Sequence, residues 1–369
     1  MNQDILEKCA QAMEAENLDG LIAMSPENFA YVAGFVVPSQ PILRWRHAAV
    51  VMTRDANSLY AIDMEASTVR ALEAQTEVRV WEEFAEDAMP VLAGLLKDLG
   101  LDAARVGIET DYMPARDMEQ LTGLLPKVQW QPAHTIFNRL RLIKTPRELE
   151  LMRRLARITD RAIKEAIESV HPGDTERDLA AAAMGNLLTL GADSCKWLIL
   201  GSGDRSQFPN VGPTTRELTR GDVVRLEMFG ALDGYHTGIC RTAVVQEAAP
   251  EVRETWSSIV VCRDLIFDSI RDGASGAEVY RKVSDQFRSL GWDSLSFVGH
   301  GIGLFVHEEP YIGSYGDARI EAGMVLGTEP VVLVPGAYGL QVKDIAAVDE
   351  GGHDLLSDVT NTDELLVID

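Results

Sequence analysis

Several short stretches carry side chains that can move a proton, hold a cation or attack a carbon. In Gly234–Thr242 (GYHTGICRT) an extended chain puts alternate side chains on one face, so His236, Gly238 and Cys240 point the same way. In Val298–Gly303 (VGHGIG) the imidazole of His300 stands among glycines, where a ligand or a neighbouring backbone can come close. His307 follows shortly before Glu308, Glu309 and Pro310. Glu329 interrupts the apolar run MVLGTEPVVLV, where a carboxylate is costly to bury unless it pairs, protonates or meets a cation. Lys343 and Asp344 interrupt LQVKDIAAV in the same way. Singly, each has a plainer reading: a satisfied structural histidine, a small core filler at Cys240, an ion pair of Glu329 with Lys343 closing two strands. Convergence of these groups from both halves of a repeated segment is what makes a site of them.

The elements that must position them are written as local signals. Thr145-Pro146-Arg147-Glu148 combines an N-cap, a proline start and a glutamate three residues after the cap, and so opens a helix. This restart places the domain boundary near Ile143, giving domains 1–143 and 144–369. Before it, Ile5, Cys9 and Met13 share a helical face, and Leu18–Met24 reads as a strand. HAAVVMT and SLYAID form a hairpin-like pair around Arg54–Asn57, and Glu65–Ala74 and Phe84–Leu99 read as helices. A strand at Arg105–Glu109 and a further helix complete an α/β layer domain. After it, the segment beginning at His171 returns, shifted by a hundred residues, at Arg271. Gly173/Gly273, Leu190/Leu290, Gly191/Gly291, Asp193/Asp293 and Ser194/Ser294 are identical pairs. Each copy reads as a glycine turn, a capped helix, a glycine stop and a strand. The β-rich stretches Gly221–Val245, Gly323–Val334 and Gly339–Val348 lie between and after the copies. Chance recurrence of capping chemistry is the alternative; a duplicated helix-plus-sheet unit puts a cleft between its copies.

The bulk properties narrow the partner. A net charge of −23 over 369 residues argues against nucleic acid or an anionic membrane surface. It suits a cationic or zwitterionic small molecule, or surface carboxylates that serve only solubility. The four cysteines, Cys9, Cys195, Cys240 and Cys262, make no CxxC pair and read as free thiols of a reducing compartment. The acidic, amphipathic N-terminal stretch is not a signal peptide, and no apolar run is long enough to span a bilayer, so a cytoplasmic protein is expected.

Four stretches in order resemble the creatinase, aminopeptidase P and prolidase family, which has the pita-bread fold. They are RGDVVRLEMFGALDGYHTGICRT, SFVGHGIGLFVHEEP, AGMVLGTEPVV and GLQVKDIAAVDEGG, preceded by RLIKTPRELELMRRLARITDRAI, which looks like the family's first helix in this domain. The resemblance implies an α+β chain with a C-terminal pita-bread domain behind a smaller N-terminal α/β domain. It also implies a two-metal site of two Asp, one His and two Glu. Carried over, those positions fall on Glu227, Gly238, His300, Glu329 and Lys343. Glycine offers no ligand and lysine repels a divalent ion, so no metal and no other cofactor is expected. One ion on Glu227, His300 and Glu329 is the chemical alternative.

Creatinase resembles this chain in having the fold without the metal. Its catalytic His and one Glu fall on Asn210 and Cys240, while its other Glu and paired His residues match Glu329, His300 and His307. The leading expectation is a creatinase-like, metal-independent hydrolase of a C–N bond in a small zwitterion or amide. An Xaa-Pro metallopeptidase, a lyase on a small zwitterion and a binding protein without catalysis are the alternatives. In the leading scheme His300 and Glu329 handle protons with Glu227 and His307. Lys343 supplies the positive charge, and Cys240 is a wall or a nucleophile activated by His236 or His300. His236 and Asn210 are candidate substrate contacts. By the same resemblance the protein is a homodimer, and Arg44, Trp45 and Arg46 of one subunit grip substrate in the other.

Overall fold

The computed structural model describes residues 1–293, 296–315 and 318–369. Two compact units result, Met1–Arg141 and Leu142–Asp369.

The first unit alternates helix and strand: α1 (Gln3–Ala15), β1 (Gly20–Ala23), α2 (Pro26–Ala33), β2 (Ala49–Thr53), β3 (Asn57–Ile62), α3 (Asp63–Leu72), β4 (Glu77–Trp81), α4 (Ala88–Asp98), β5 (Arg105–Ile108), α5 (Ala115–Leu124), β6 (Gln129–Pro132) and α6 (His134–Leu142). The strands make one six-stranded sheet in the order β4-β3-β2-β1-β5-β6. Ile5, Cys9 and Met13 are the buried face of α1. The helix read from Phe84 starts instead at Ala88, because Phe84 holds a positive φ of 66° that no helix accommodates.

In the second unit the capping box forms as written: Thr145 accepts from the Glu148 amide, and Glu148 caps back. It opens α7 (Pro146–Ser169), followed by α8 (Glu176–Thr189), β7 (Ser194–Ser202), β8 (Val223–Leu232), β9 (Tyr235–His236), β10 (Ile239–Val245), α9 (Pro250–Phe267), α10 (Gly276–Ser289) and β11 (Phe297–Gly301). The chain ends with β12 (Glu308–Gly313), β13 (Val325–Thr328), β14 (Val331–Val334), β15 (Tyr338–Gln341), β16 (Asp344–Val348), β17 (His353–Leu355) and β18 (Leu366–Ile368).

The repeat is structural. Helices α8 and α10 begin and end at equivalent positions, capped by Thr175 and Ser275, and each is followed by a positive-φ glycine, Gly191 or Gly291. Of the paired positions, Ser294 lies outside the described residues. One sheet runs β18-β10-β8-β7 with β9 beside β8, a second runs β12-β11-β13-β16-β17, and β14 pairs with β15 in a two-stranded third. Trp256, Ile259 and Ile266 of α9 and Val279, Val283 and Phe287 of α10 share a core with Val298, Ile312 and Leu326 of the second sheet. Burial of this apolar face is what holds helices to sheet.

Candidate active site

Strand alternation in β8 sends Arg225, Glu227 and Phe229 to one side. Register brings Ile199 and Trp197 of β7 opposite Glu227 and Phe229, and Cys240 of β10 opposite Glu227 from the other flank. A backbone bridge joins the two sheets where Cys240 and Lys343 exchange hydrogen bonds of 3.2 Å in both directions. This bridge carries Lys343 to Glu227.

Glu329 and Lys343 both sit at bends rather than inside strands. The chain leaves β13 at Thr328 and enters β14 at Val331, and it leaves β15 at Gln341 and enters β16 at Asp344. At such a bend a side chain need not follow the alternation, so two charged residues inside apolar runs come to face one cavity. Behind them Arg241 is locked between Asp160 and Asp344 and donates to the carbonyls of Cys240 and Lys343, which fixes the bridge.

The cavity measures about 350 Å³. Its walls are Trp197, Ile199, Pro209, Phe297, Val331 and Leu333. On its floor the Lys343 ammonium lies 3.1 Å from Glu227 Oε1 and 3.1 Å from Glu329 Oε2, and 5.1 Å above the centre of the Phe229 ring. Burial alone would push the Glu329 carboxyl up, but the Lys343 charge overcomes it and holds it well below the usual carboxylate range. For Lys343 burial works against the charge, and the two carboxylates reverse it and raise its pKa. Arg225 is equally buried, yet no carboxylate among the described residues pairs with it. It donates to the carbonyls of Ser206, Phe208 and Pro209 and to Gln341 Oε1. Two buried cations therefore balance two buried carboxylates.

His300 is fully buried, and a side chain added at Gly301 beside it would run into the Glu309 carbonyl. Its Nδ1 stands 2.7 Å from the Gly301 carbonyl, and a carbonyl can only accept, so Nδ1 carries the hydrogen. Nε2 is then the basic nitrogen, 3.2 Å from Glu329 Oε1. Neither atom has a donor among the described residues. The two atoms can share a proton as they stand, but both are buried, so a water reaches them only when a neighbouring side chain turns aside. His307 stacks on His300 at 3.6 Å between centroids, with 10° between planes. Partial burial, then His300 and Lys343, push its pKa down to about 4.

His300, Glu329, Glu227, Lys343 and His307 thus come together, and Asn210 lies exposed on the cavity rim. Other expected residues do not join them. His236 shares the face of Cys240 but lies beyond the cavity, beside the Gly303 and Leu304 carbonyls, where burial pushes its pKa down to about 4. It is a structural histidine rather than a substrate contact. Cys240 is fully buried behind the cavity with its thiol pushed well up by burial and then by Glu227, so it is a core residue and not a nucleophile. In the first unit Arg46 is held by Glu83 at 3.0 and 2.7 Å, and the Trp45 ring nitrogen donates to the same carboxylate. Arg46 keeps its Nη1 hydrogens beyond these bonds, and Arg44 is exposed.

Sequence reasoning missed Arg225, Phe229, Trp197 and Gln341. Arg225 had the signal that marked Glu329, a charge in an apolar run, here VVRLEMFG. The others look like any strand residue, and only cross-strand register reveals them. A larger open groove of about 770 Å³ runs along α7, but cations on it, such as Arg153 and Arg161, are paired with surface carboxylates, Asp354 and Glu165.

The two-metal site implied by the family resemblance does not fit these residues. A side chain added at Gly238 would meet the Phe229 ring at 2.6 Å, so the ring already fills the room a carboxylate would need. Lys343 stands where the carboxylates converge. His300, His307 and Glu329 lie within 4.8 Å of one another. The two imidazoles are stacked nearly parallel, however, so their in-plane lone pairs cannot meet at one ion.

Residues 5–143 match the family described as the Creatinase/Prolidase N-terminal domain, and residues 150–350 match metallopeptidase family M24. A probable dipeptidase PepE of Mycobacterium tuberculosis is 33% identical over 249 residues, which span 66% of this chain and 65% of that protein. An Xaa-Pro dipeptidase of Pyrococcus furiosus is 24% identical over 94% of this chain and 95% of its own. Among solved structures, an Xaa-Pro dipeptidase from Bacillus anthracis superposes with a TM-score of 0.85 over 99% of both chains at 23% identity. The dipeptidase PepE from Mycobacterium ulcerans does so at 0.83, over 99% of this chain and 97% of that one, at 26% identity. These relatives are peptidases by name, which puts the Xaa-Pro peptidase alternative ahead of the creatinase-like reaction expected first. The two-unit architecture is the pita-bread one, and the chain belongs to metallopeptidase family M24.

Proposed function

We propose that the chain hydrolyses the amide C–N bond of a small, zwitterionic, dipeptide-like substrate, and that Lys343 provides the positive charge of the site. The observation that carries this is the Glu227–Lys343–Glu329 triplet on the floor of an apolar cavity, with His300 Nε2 beside it. The walls take an apolar side chain, and the charge-balanced floor accepts a substrate that brings no net charge.

His300 Nε2 takes a proton from water as its oxygen bonds to the carbonyl carbon. Glu329, kept ionised by Lys343, stabilises the imidazolium that results. The Lys343 ammonium offsets charge developing on the carbonyl oxygen. The C–N bond then breaks, and the leaving nitrogen takes the proton from His300, yielding an acid and an amine. His307, which stacks on the His300 ring from the cavity side, turns aside to admit the water.

The test is incubation of purified protein, in chelator, with Xaa-Pro and other dipeptides, lactams, amidines and betaines, with release of amine measured by mass spectrometry. Hydrolysis of a dipeptide that persists in chelator and falls at least about a hundredfold in Glu329→Gln supports the reading. Turnover of lactams or amidines alone, or of nothing, overturns it.

A further inference from the structure

We infer that Lys343, Phe229 and Gly238 form one interlocked replacement for a metal centre, which closes this cavity to divalent ions. The inference deepens the function proposed above, and its test reads metal content and stability instead of turnover.

Three features, each on a different strand or bend, depend on one another. The Lys343 ammonium satisfies Glu227 and Glu329 at 3.1 Å each, so neither carboxylate lacks a cation. A divalent ion bound to the same carboxylates would stand within a few ångströms of that ammonium, where like charges repel strongly in a dry site. Absence of a side chain at Gly238 is what lets the Phe229 ring sit where it does, since a Cβ there would meet ring carbons at 2.6 and 2.9 Å. The ring is in turn fixed from two directions. Trp197 stacks on it at 5.4 Å with 19° between planes, and the ammonium lies over it at 5.1 Å. Restoring a carboxylate at 238 therefore requires Phe229 to move, which uncovers Lys343. Restoring a carboxylate at 343 removes the only cation that touches Glu227 and Glu329 among the described residues. No single change reopens the site.

The experiment equilibrates the full chain with excess MnCl2, CoCl2 or ZnCl2. Free metal is removed by gel filtration, bound metal is counted by mass spectrometry, and the melting temperature is recorded with and without CoCl2. A site filled at about a hundred times its dissociation constant would raise the melting temperature by several degrees. The expected result is far less than one equivalent of each metal and no shift. One or two retained equivalents, or a saturable rise in melting temperature, overturns the inference. The triple variant Phe229→Ala, Gly238→Asp, Lys343→Glu is expected to gain a cobalt absorption band and a Co²⁺-dependent rise that Lys343→Glu alone lacks. A folded triple variant that binds no cobalt, or a Lys343→Glu variant that binds it unaided, refutes the interlock. Should the triple variant not fold, the parent protein's metal count still decides.

Discussion

His236 shows how a residue of the right type on the right face can still lie outside the chemistry. It continues the face that carries Cys240 and Gly238, but its ring is buried beside the Gly303 and Leu304 carbonyls, with Nδ1 unpartnered. Burial lowers its pKa to about 4, below the ordinary 6.5. Between those values the unfolded chain binds a proton that the folded chain refuses, so stability is lost as pH falls through this window. The slope from one such group is at most about 1.4 kcal/mol per pH unit. Denaturant melts at pH 7 and pH 5 should show a smaller acid loss in His236→Gln than in the parent. An equal loss in both proteins would mean that His236 titrates freely. Cys240 makes the complementary case: a thiol beside the site is still no nucleophile when burial keeps it protonated.

Local signals at the ends of elements were the most legible part of the chain. The Thr145 box, the glycines after α8 and α10 and the paired helices of the repeat all appear where capping rules place them. Such a cap is a separable contribution, so Thr145→Ala should cost about 1 kcal/mol in a denaturant melt without changing metal content or turnover. A loss of several kcal/mol would mean that Glu148, which also accepts from the Tyr235 hydroxyl at 2.9 Å, depends on the cap for its position. Less legible were the breaks inside apolar runs. MVLGTEPVVLV reads as one strand but is two, separated at Glu329-Pro330. LQVKDIAAV likewise divides at Val342-Lys343. Period-two patterning cannot report a bend between two sheets, and these bends are where the charged residues of the site sit. Strand β4 and helix α2 went unread although each carries a signal: Glu77–Trp81 alternates polar and apolar residues, and Ser25-Pro26 and Gly34 bracket α2.

At the scale of the molecule, the second unit brings its two larger sheets together at the Cys240–Lys343 bridge and places carboxylates from both around one ammonium. Glu227 comes from the first sheet, and Glu329 and Lys343 from the chain just after β13 and just before β16 of the second, so the ion triplet ties the two halves of the repeat. The positions that the resemblance assigns to metal ligands form a structural link as well as a candidate active site. Their coupling is the central claim, and a double-mutant cycle by denaturant melts tests it most directly. Lys343→Met leaves two buried carboxylates without their cation and should cost about 3–5 kcal/mol. Glu329→Gln should destabilise the parent, yet in the Lys343→Met background it should recover a substantial part of that loss, and adding Glu227→Gln should recover more. If Lys343→Met is as stable as the parent, or if Glu329→Gln costs the same in both backgrounds, the ammonium does not hold the two sheets' carboxylates and the account of this site is wrong.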